Sequence, residues 1–253
     1  GDRISFLDVG TGDATLVELH DGGRVYLQGE ASAVAVARAI GPRLPFWNRV
    51  IDLTIVSAGT DQALTDLDDL AGRLPLRQVI LTNGYSPTTT QHWATTAHDH
   101  QIQSAFAAPG LTALAGRSAH LFAYPLPGVP AQGRTAARAP NLAVRLTFGE
   151  ASVLWASAQP ADQAQLAESG AQLNAQVLKL VGREPRWGLD PHFFALVNPS
   201  VVILPSGVAS QFARAAPGTL DLLDNRRVYR TDLDGTVTIT LNGQSMTIQT
   251  ARQ

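Results

Sequence analysis

The 253-residue sequence predicts an α/β domain in which two mixed β-sheets pack face to face with helices outside. Short apolar or alternating runs recur along the whole chain and are interleaved with helix-like stretches. Hairpin-like pairs of runs open each half and also close the chain. DLTIVS (52–57) carries apolar residues at both odd and even positions, Leu53, Ile55 and Val56, and is read as a strand covered on both faces. A hydrophobic content of 45% against 16% charged residues suits a globular chain long enough to bury a full core.

In order, RISFLDV, ATLVELH and RVYLQ read as strands separated by GTGD and DGG. A helix follows over 31–41 and is stopped by Gly41-Pro42. DLTIVS is a strand, 64–73 a helix, RQVILT a strand and 88–103 a polar helix. Residues 107–140 are rich in Ala, Pro and Gly and show little regular pattern, with 125–140 read as a long loop. LAVRLTFG and SVLWAS form a hairpin around Gly149-Glu150-Ala151. The helix 160–169, the strand AQVLKLV, the helix DPHFFALVN, the strand SVVILPS and a helix over 217–225 come next. RRVYRT, TVTITLNG and QSMTIQT end the chain as strands, with Asp234-Gly235 and Asn242-Gly243 as turns.

Composition excludes some chemistry. There is no cysteine, so neither a disulfide nor a thiolate zinc site is available. The formal net charge is −2, which gives the whole molecule no bias toward nucleic acid. Charge is uneven, with net −6 over residues 1–70, +5 over 71–148 and −1 over 149–253. Lys179 is the single lysine beside 18 arginines, a ratio read as genome composition. No apolar run approaches the roughly 18 residues of a membrane helix. The chain opens directly in strand-like sequence, GDRISFLDVG, which fits either a domain of a larger protein or a mature form after cleavage.

The opening SFLDVGTGDATLVEL resembles the start of the metallo-β-lactamase-like domain of ComEC-type competence proteins. Their L-D-V-G-Q-G-D-A signature stands here as Leu7-Asp8-Val9-Gly10-Thr11-Gly12-Asp13-Ala14, with Thr11 in place of Gln. Gly10 and Gly12 suit a tight turn, and Asp8 and Asp13 are read as structural residues whose carboxylates bond its amides. The likeness continues in order. RVYLQGE takes the place of an L-I-D-G-G strand end, NLAVRLTFGE that of an N-x-x-S-L-V-L hairpin, VLKLV that of the strand before H-H-G-S, and VYRTDLDGTVTI that of the R-T-D-x-D-G ending. It implies a metallo-β-lactamase fold, a four-layer αββα sandwich, over 1–253 as one domain.

The ligands of that family are missing. Its S-H-P-D-A-D-H-I-G-G-L-D-D-L loop falls on Ser57 to Leu70, where Ala58 and Ala63 replace histidines and Thr60 and Gln62 replace aspartates. The aspartate of L-L-T-G-D becomes Ala158, H-H-G-S becomes Gly182-Arg183-Glu184-Pro185, the last histidine becomes Ala216, and the Asp of L-I-D-G-G becomes Gln28. A two-metal hydrolase needs several imidazoles and carboxylates to hold its ions and generate hydroxide. Arg183 in the vacated pocket repels a cation and suits an anion, as do Arg186 and Arg214.

Other candidates are bland. His92, His98 and His100 are read as a solvated helix end, His192 as a helix-start residue, and His20 and His120 as strand-end residues without a visible partner. Asp61, Asp66, Asp68 and Asp69 are read as the solvated first turns of a helix, Asp232 and Asp234 as β-turn residues. Ser57, Ser157 and Ser206 have no histidine base nearby.

The resemblance implies a non-catalytic part of a DNA-uptake channel, structural or DNA-guiding, with no cofactor. It would lie at the extracytoplasmic face of the cytoplasmic membrane, beside the membrane-embedded remainder of the same protein, without inserting itself. Its partners would be single- or double-stranded DNA. Two alternatives stand beside it. One is a metal-dependent nuclease or hydrolase with a rebuilt site, using Asp13, Glu30, Asp61 and Glu184 around a hard cation. The other is a soluble, cytoplasmic anion-binding protein.

Overall fold

A computed structural model describes residues 1–115, 119–128, 139–148, 151–182, 187–204, 215–242 and 245–252. The first sheet holds β1 (Asp2–Phe6), β2 (Asp13–Glu18), β3 (Arg24–Gly29), β4 (Ile51–Val56), β5 (Leu76–Leu81) and β6 (Gln103–Phe106), together with the closing hairpin of β14 (Val237–Asn242) and β15 (Ser245–Thr250). Its order is β15-β14-β1-β2-β3-β4-β5-β6, antiparallel as far as β3 and parallel beyond it. The second sheet holds β7 (Leu111–Ala115), β8 (Ala119–Leu126), β9 (Asn141–Phe148), β10 (Ala151–Ser157), β11 (Val177–Val181), β12 (Val201–Leu204) and β13 (Arg227–Arg230). Its order is β13-β12-β11-β10-β9-β8-β7, parallel from β13 to β10 and antiparallel from there on.

Helices α1 (Ala33–Ile40), α2 (Asp61–Ala71) and α3 (Pro87–Asp99) cover the first sheet, and α4 (Pro160–Glu168), α5 (Pro191–Val197) and α6 (Thr219–Leu223) cover the second. Short polar caps start them. Ser32, Thr60, Ser86 and Asp190 each accept a bond from a backbone amide of the first turn of α1, α2, α3 and α5. A single turn, α7 (Thr231–Asp234), joins β13 to β14.

Strand alternation sorts the core into three layers. Between the sheets lie Ile4, Phe6, Val17, Leu27 and Ile55 against Leu121, Val144, Trp155 and Ile203. On the outer face of the first sheet, Leu16, Tyr26 and Val79 meet Val36, Leu67 and Trp93. On that of the second, Leu154, Leu178 and Val202 meet Leu166, Phe193 and Leu223. The four-layer αββα order read from the sequence is therefore the observed one.

Three local expectations are corrected. Residues 107–140 are more regular than their composition suggests, since β7 and β8 lie there and β8 pairs with β9 from Ala119↔Phe148 to Leu126↔Asn141. The alternating buried positions of β8 are partly small alanines, and Pro125 falls inside the strand, which hides the period-2 signal. Asp232 and Asp234 sit in the turn α7, where Asp234 accepts from the Arg230 amide at 2.6 Å and Asp232 pairs with Arg230 at 2.8 Å. His20 does have a partner, Asp2 across the β1–β2 pair, at 2.8 Å.

The inner face of β11 breaks the apolar pattern. Val177, Lys179 and Val181 point between the sheets, opposite Asp13, Thr15 and Val17 of β2. Lys179 is 1% exposed and Asp13 5%. The Lys179 ammonium donates to the Asp13 carboxylate and, at 3.3 Å, to the Leu204 carbonyl. Beside it, Trp155 Nε1 donates to Thr15 Oγ1 at 3.2 Å, a second polar link between the sheets. Removing one member of a buried pair strands the other charge in a dry interior. Lys179→Met is thus expected to cost about 3–5 kcal/mol in urea unfolding. The double variant Asp13→Leu/Lys179→Met should recover most of that loss. A double variant no more stable than the single one would show that the two charges are not coupled.

Candidate functional site

The cleft lies where β2, β3 and β4 of one sheet and β9, β10 and β11 of the other reach the same edge. It encloses about 80 Å³ between Asp13, Glu30 and Thr60 on one side and Asn141, Asp162 and Gly182 on the other.

The turn before β2 is built as its glycines suggest. Gly10 and Gly12 have φ of +77° and +100°. Asp8 accepts from the Gly10 amide at 3.2 Å and from Arg252 at 2.9 Å. Asp13 does not serve the turn. Besides Lys179 it takes the Gly182 amide at 3.3 Å, so its carboxylate fixes the exit of β11. The reason is register: Asp13 begins β2 on the face that looks at the second sheet.

The loop Ser57–Thr60, on which the motif resemblance places metal ligands, is tied down by its backbone. Ser57 donates through N and Oγ to the Gln28 carbonyl at 3.2 and 3.1 Å, and its own carbonyl accepts from the Leu142 amide at 2.8 Å. Ala58 bridges to Asn141, and the Gly59 amide bonds the Pro140 carbonyl at 2.8 Å. A Cβ on Gly59 would lie 2.0 Å from the Asn83 carbonyl, so only glycine fits the clasp. Tyr85 donates to the Ala58 carbonyl at 3.3 Å, and burial raises its pKa, which keeps the phenol a donor.

The structure brings only some of the aligned positions together. Ala58, Thr60 and Gly182 line the cleft. Ala158 is buried behind Gly182, and a Cβ on Gly182 would lie 3.8 Å from that of Ala158. Ala216 lies beside Gly188 and is bonded by its amide to the Trp187 carbonyl at 2.8 Å. Gln62 points away on the exposed face of α2 and donates to Asp66 at 3.2 Å. Ala63 is fully buried, and its carbonyl accepts from Gln28 Nε2 at 2.7 Å. Arg183, Glu184, Arg186, Ser206 and Arg214 lie outside the described residues.

Three carboxylates face the cleft, and each already accepts a bond. Asp13 holds Lys179 and the Gly182 amide. Glu30, itself at φ +35°, accepts from Thr60 Oγ1 at 3.3 Å. Asp162, in the first turn of α4 and 3% exposed, accepts from Asn141 Nδ2 at 3.3 Å. Asp61 is turned toward α3, where the Ser86 amide donates to it at 2.7 Å and holds its carboxyl below the usual range. His92 pairs with Asp68 at 3.1 Å on the outer helices. Among the described residues no three His, Asp or Glu side chains gather as a metal-holding group. Lys179, Asn141 and Asp162 were not singled out as site residues from sequence. A lysine inside the alternation V-L-K-L-V was the available signal for the first.

No protein-family model and no curated protein matches the sequence. The fold does match solved structures. The metallo-β-lactamase fold protein YhfI from Bacillus subtilis is 11% identical with a TM-score of 0.56, over 90% of this chain and 95% of that one. Zn2+-bound PqqB from Methylobacterium extorquens is 11% identical with a TM-score of 0.58, over 91% and 88%. A long-form RNase Z from yeast is 8% identical with a TM-score of 0.58, over 100% of this chain and 50% of that one. The chain therefore has the metallo-β-lactamase fold.

The signature turn makes a contrast that mutagenesis can read. A Cβ at Gly12 would meet the Glu30 carbonyl at 2.2 Å, whereas one at Gly10 has nothing within 4 Å. Gly10→Ala should cost only the left-handed backbone penalty, about 1–2 kcal/mol. Gly12→Ala adds a backbone clash and should lower the melting temperature clearly further. Equal losses would show that Glu30 does not press on this turn.

Proposed function

We propose that this chain is a non-catalytic metallo-β-lactamase-like domain of the ComEC type, with a structural or DNA-guiding role in DNA uptake. In this reading it works at the extracytoplasmic face of the cytoplasmic membrane beside a membrane-embedded partner region, and its old metal site is degenerate. The observation that carries it is the chemistry of the cleft wall. Ala58, Thr60 and Gly182 offer a methyl, a hydroxyl and a backbone amide where a two-ion centre needs imidazoles and carboxylates. The residues present do not fit such a centre, because the cleft carboxylates are taken by Lys179, Thr60 and Asn141. The ordered motifs from Leu7-Asp8-Val9-Gly10 to Arg230-Thr231-Asp232 support the ComEC-type part.

Nothing among the described residues favours the rebuilt hydrolytic site. Of its four carboxylates, Asp13 is held by an ammonium and Asp61 points at α3, and Glu184 lies outside the described residues.

Protein purified without chelator should hold less than about a tenth of an equivalent of Zn, Mn or Fe by plasma mass spectrometry, since sites of this class keep their ions through purification. With added Mn2+ it should cleave neither single- nor double-stranded DNA above background. One or two equivalents of metal, or Mn2+-dependent cleavage, would overturn the reading. Titrations with DNA should show an affinity that falls steeply with salt if the domain guides the strand.

A further inference from the structure

The end of the first sheet opposite the cleft carries a second feature. α1 leads away from the cleft, and residues 41–50 bring the chain back into β4 at Ile51. At the tip of that return Phe46 is 88% exposed and Trp47 75%, whereas the other tryptophans, Trp93, Trp155 and Trp187, are at most 2% exposed. The two rings meet edge to face, with centroids 4.8 Å apart and planes at 88°. Single exposed apolar residues are ordinary, but two adjacent large rings held in water mark a contact surface.

The segment that forms the tip is itself basic, although Glu18 and Asp52 lie at the same end of the sheet. Residues 33–50 contain Arg38, Arg43 and Arg49 and no acid. Arg43 bonds the Ala39 carbonyl at 2.8 Å, and Arg38 and Arg49 are exposed. The nearest acid along the chain, Asp52, is engaged by Arg77 at 2.6 Å and by the Arg24 amide at 2.9 Å.

We propose that this tip is a peripheral anchor for an anionic lipid surface, with Phe46 and Trp47 seated at headgroup depth and the arginines against lipid phosphates. The amphipathic indole favours that interface, the phenyl ring adds apolar area, and cationic flanks add attraction to acidic lipid. A single strand of nucleic acid fits less well. It calls for a groove that follows its backbone and ring faces stacked for successive bases, and this tip protrudes with its rings crossed. The contact is not a span, and no described helix is long and apolar enough for one. It goes beyond the sequence expectation, which is that the chain lies at the membrane face without inserting itself. β4 runs from the tip to Ser57 in the cleft loop, so the anchored domain would hold its cleft roughly 20 Å from the lipid. Nothing in the tip depends on what the cleft does.

Vesicle flotation of the full chain tests this. The protein should float with phosphatidylcholine vesicles containing about 30% phosphatidylglycerol, more weakly as salt rises. Brominated lipid should quench Trp47, the one solvent-facing tryptophan. Phe46→Ser/Trp47→Ser should weaken vesicle binding about tenfold or more, with an unchanged circular dichroism spectrum, and Trp47→Phe should retain it. No flotation, or flotation indifferent to the double substitution, overturns the proposal. So does an oligothymidylate complex, or a dimer in analytical ultracentrifugation, that the double substitution abolishes while vesicle binding is absent.

Discussion

The Asp13–Lys179 pair is the constraint around which the cleft end of the sandwich is arranged. Most of the described contact between the two sheets is through aliphatic and aromatic side chains that tolerate small shifts. A buried ammonium and a buried carboxylate do not tolerate them, because separation leaves two uncompensated charges in a medium that solvates neither. The pair therefore sets β2 against β11 in one register. The second carboxylate oxygen of Asp13 takes the Gly182 amide, and the preceding carbonyl, of Val181, takes the Ala158 amide at 2.8 Å. Gly182 answers with φ +140°, a conformation open to glycine. The floor of the cleft thus follows from one ionic contact and one permissive residue.

The opposite wall is organised by the backbone. Ser57, Ala58 and Gly59 bond to Gln28 on one side and to Pro140, Asn141 and Leu142 on the other, so the loop spans the sheets as a clasp. A loop that presents side chains to ions keeps its backbone groups occupied and its side chains converging. Here only the first condition is met. Gln28 illustrates the difference. Its amide nitrogen serves the Ala63 carbonyl, while its Oε1 is buried with no partner among the described residues. It is a tolerated fit more than a working group.

Strands buried on both faces, such as IDLTIV and VVIL, announce themselves by apolar content alone, and the capped helices by Ser, Thr or Asp before the first turn. β8 does not, because alanines and Pro125 blur its alternation and its identity is set by pairing with β9. At the site, the residues standing at the ligand positions were legible from the motifs, but their directions were not. Gln62 and Ala63 are adjacent in sequence, yet α2 turns one to water and the other into the core. Lys179 stands out in the sequence as the single lysine beside 18 arginines, a ratio that composition explains without a structural role. Its place between Val177 and Val181 on a doubly covered strand is what demands a carboxylate, and only tertiary structure says which one.

The hairpin β14–β15 completes a sheet whose other strands all come from the first half of the chain. β1 is a central strand only because β14 lies beside it, and the Asp8 amide bonds Thr236 Oγ1 across 228 residues. During synthesis the first six strands can emerge and collapse with their helices long before that partner exists. β1 then remains an open edge, a template for pairing with a neighbouring chain. The last strands must be made and return before β1 is covered, so this pairing is long-range and slow. The hairpin then moves the open edge from the apolar β1 to the half-exposed, polar-alternating β15.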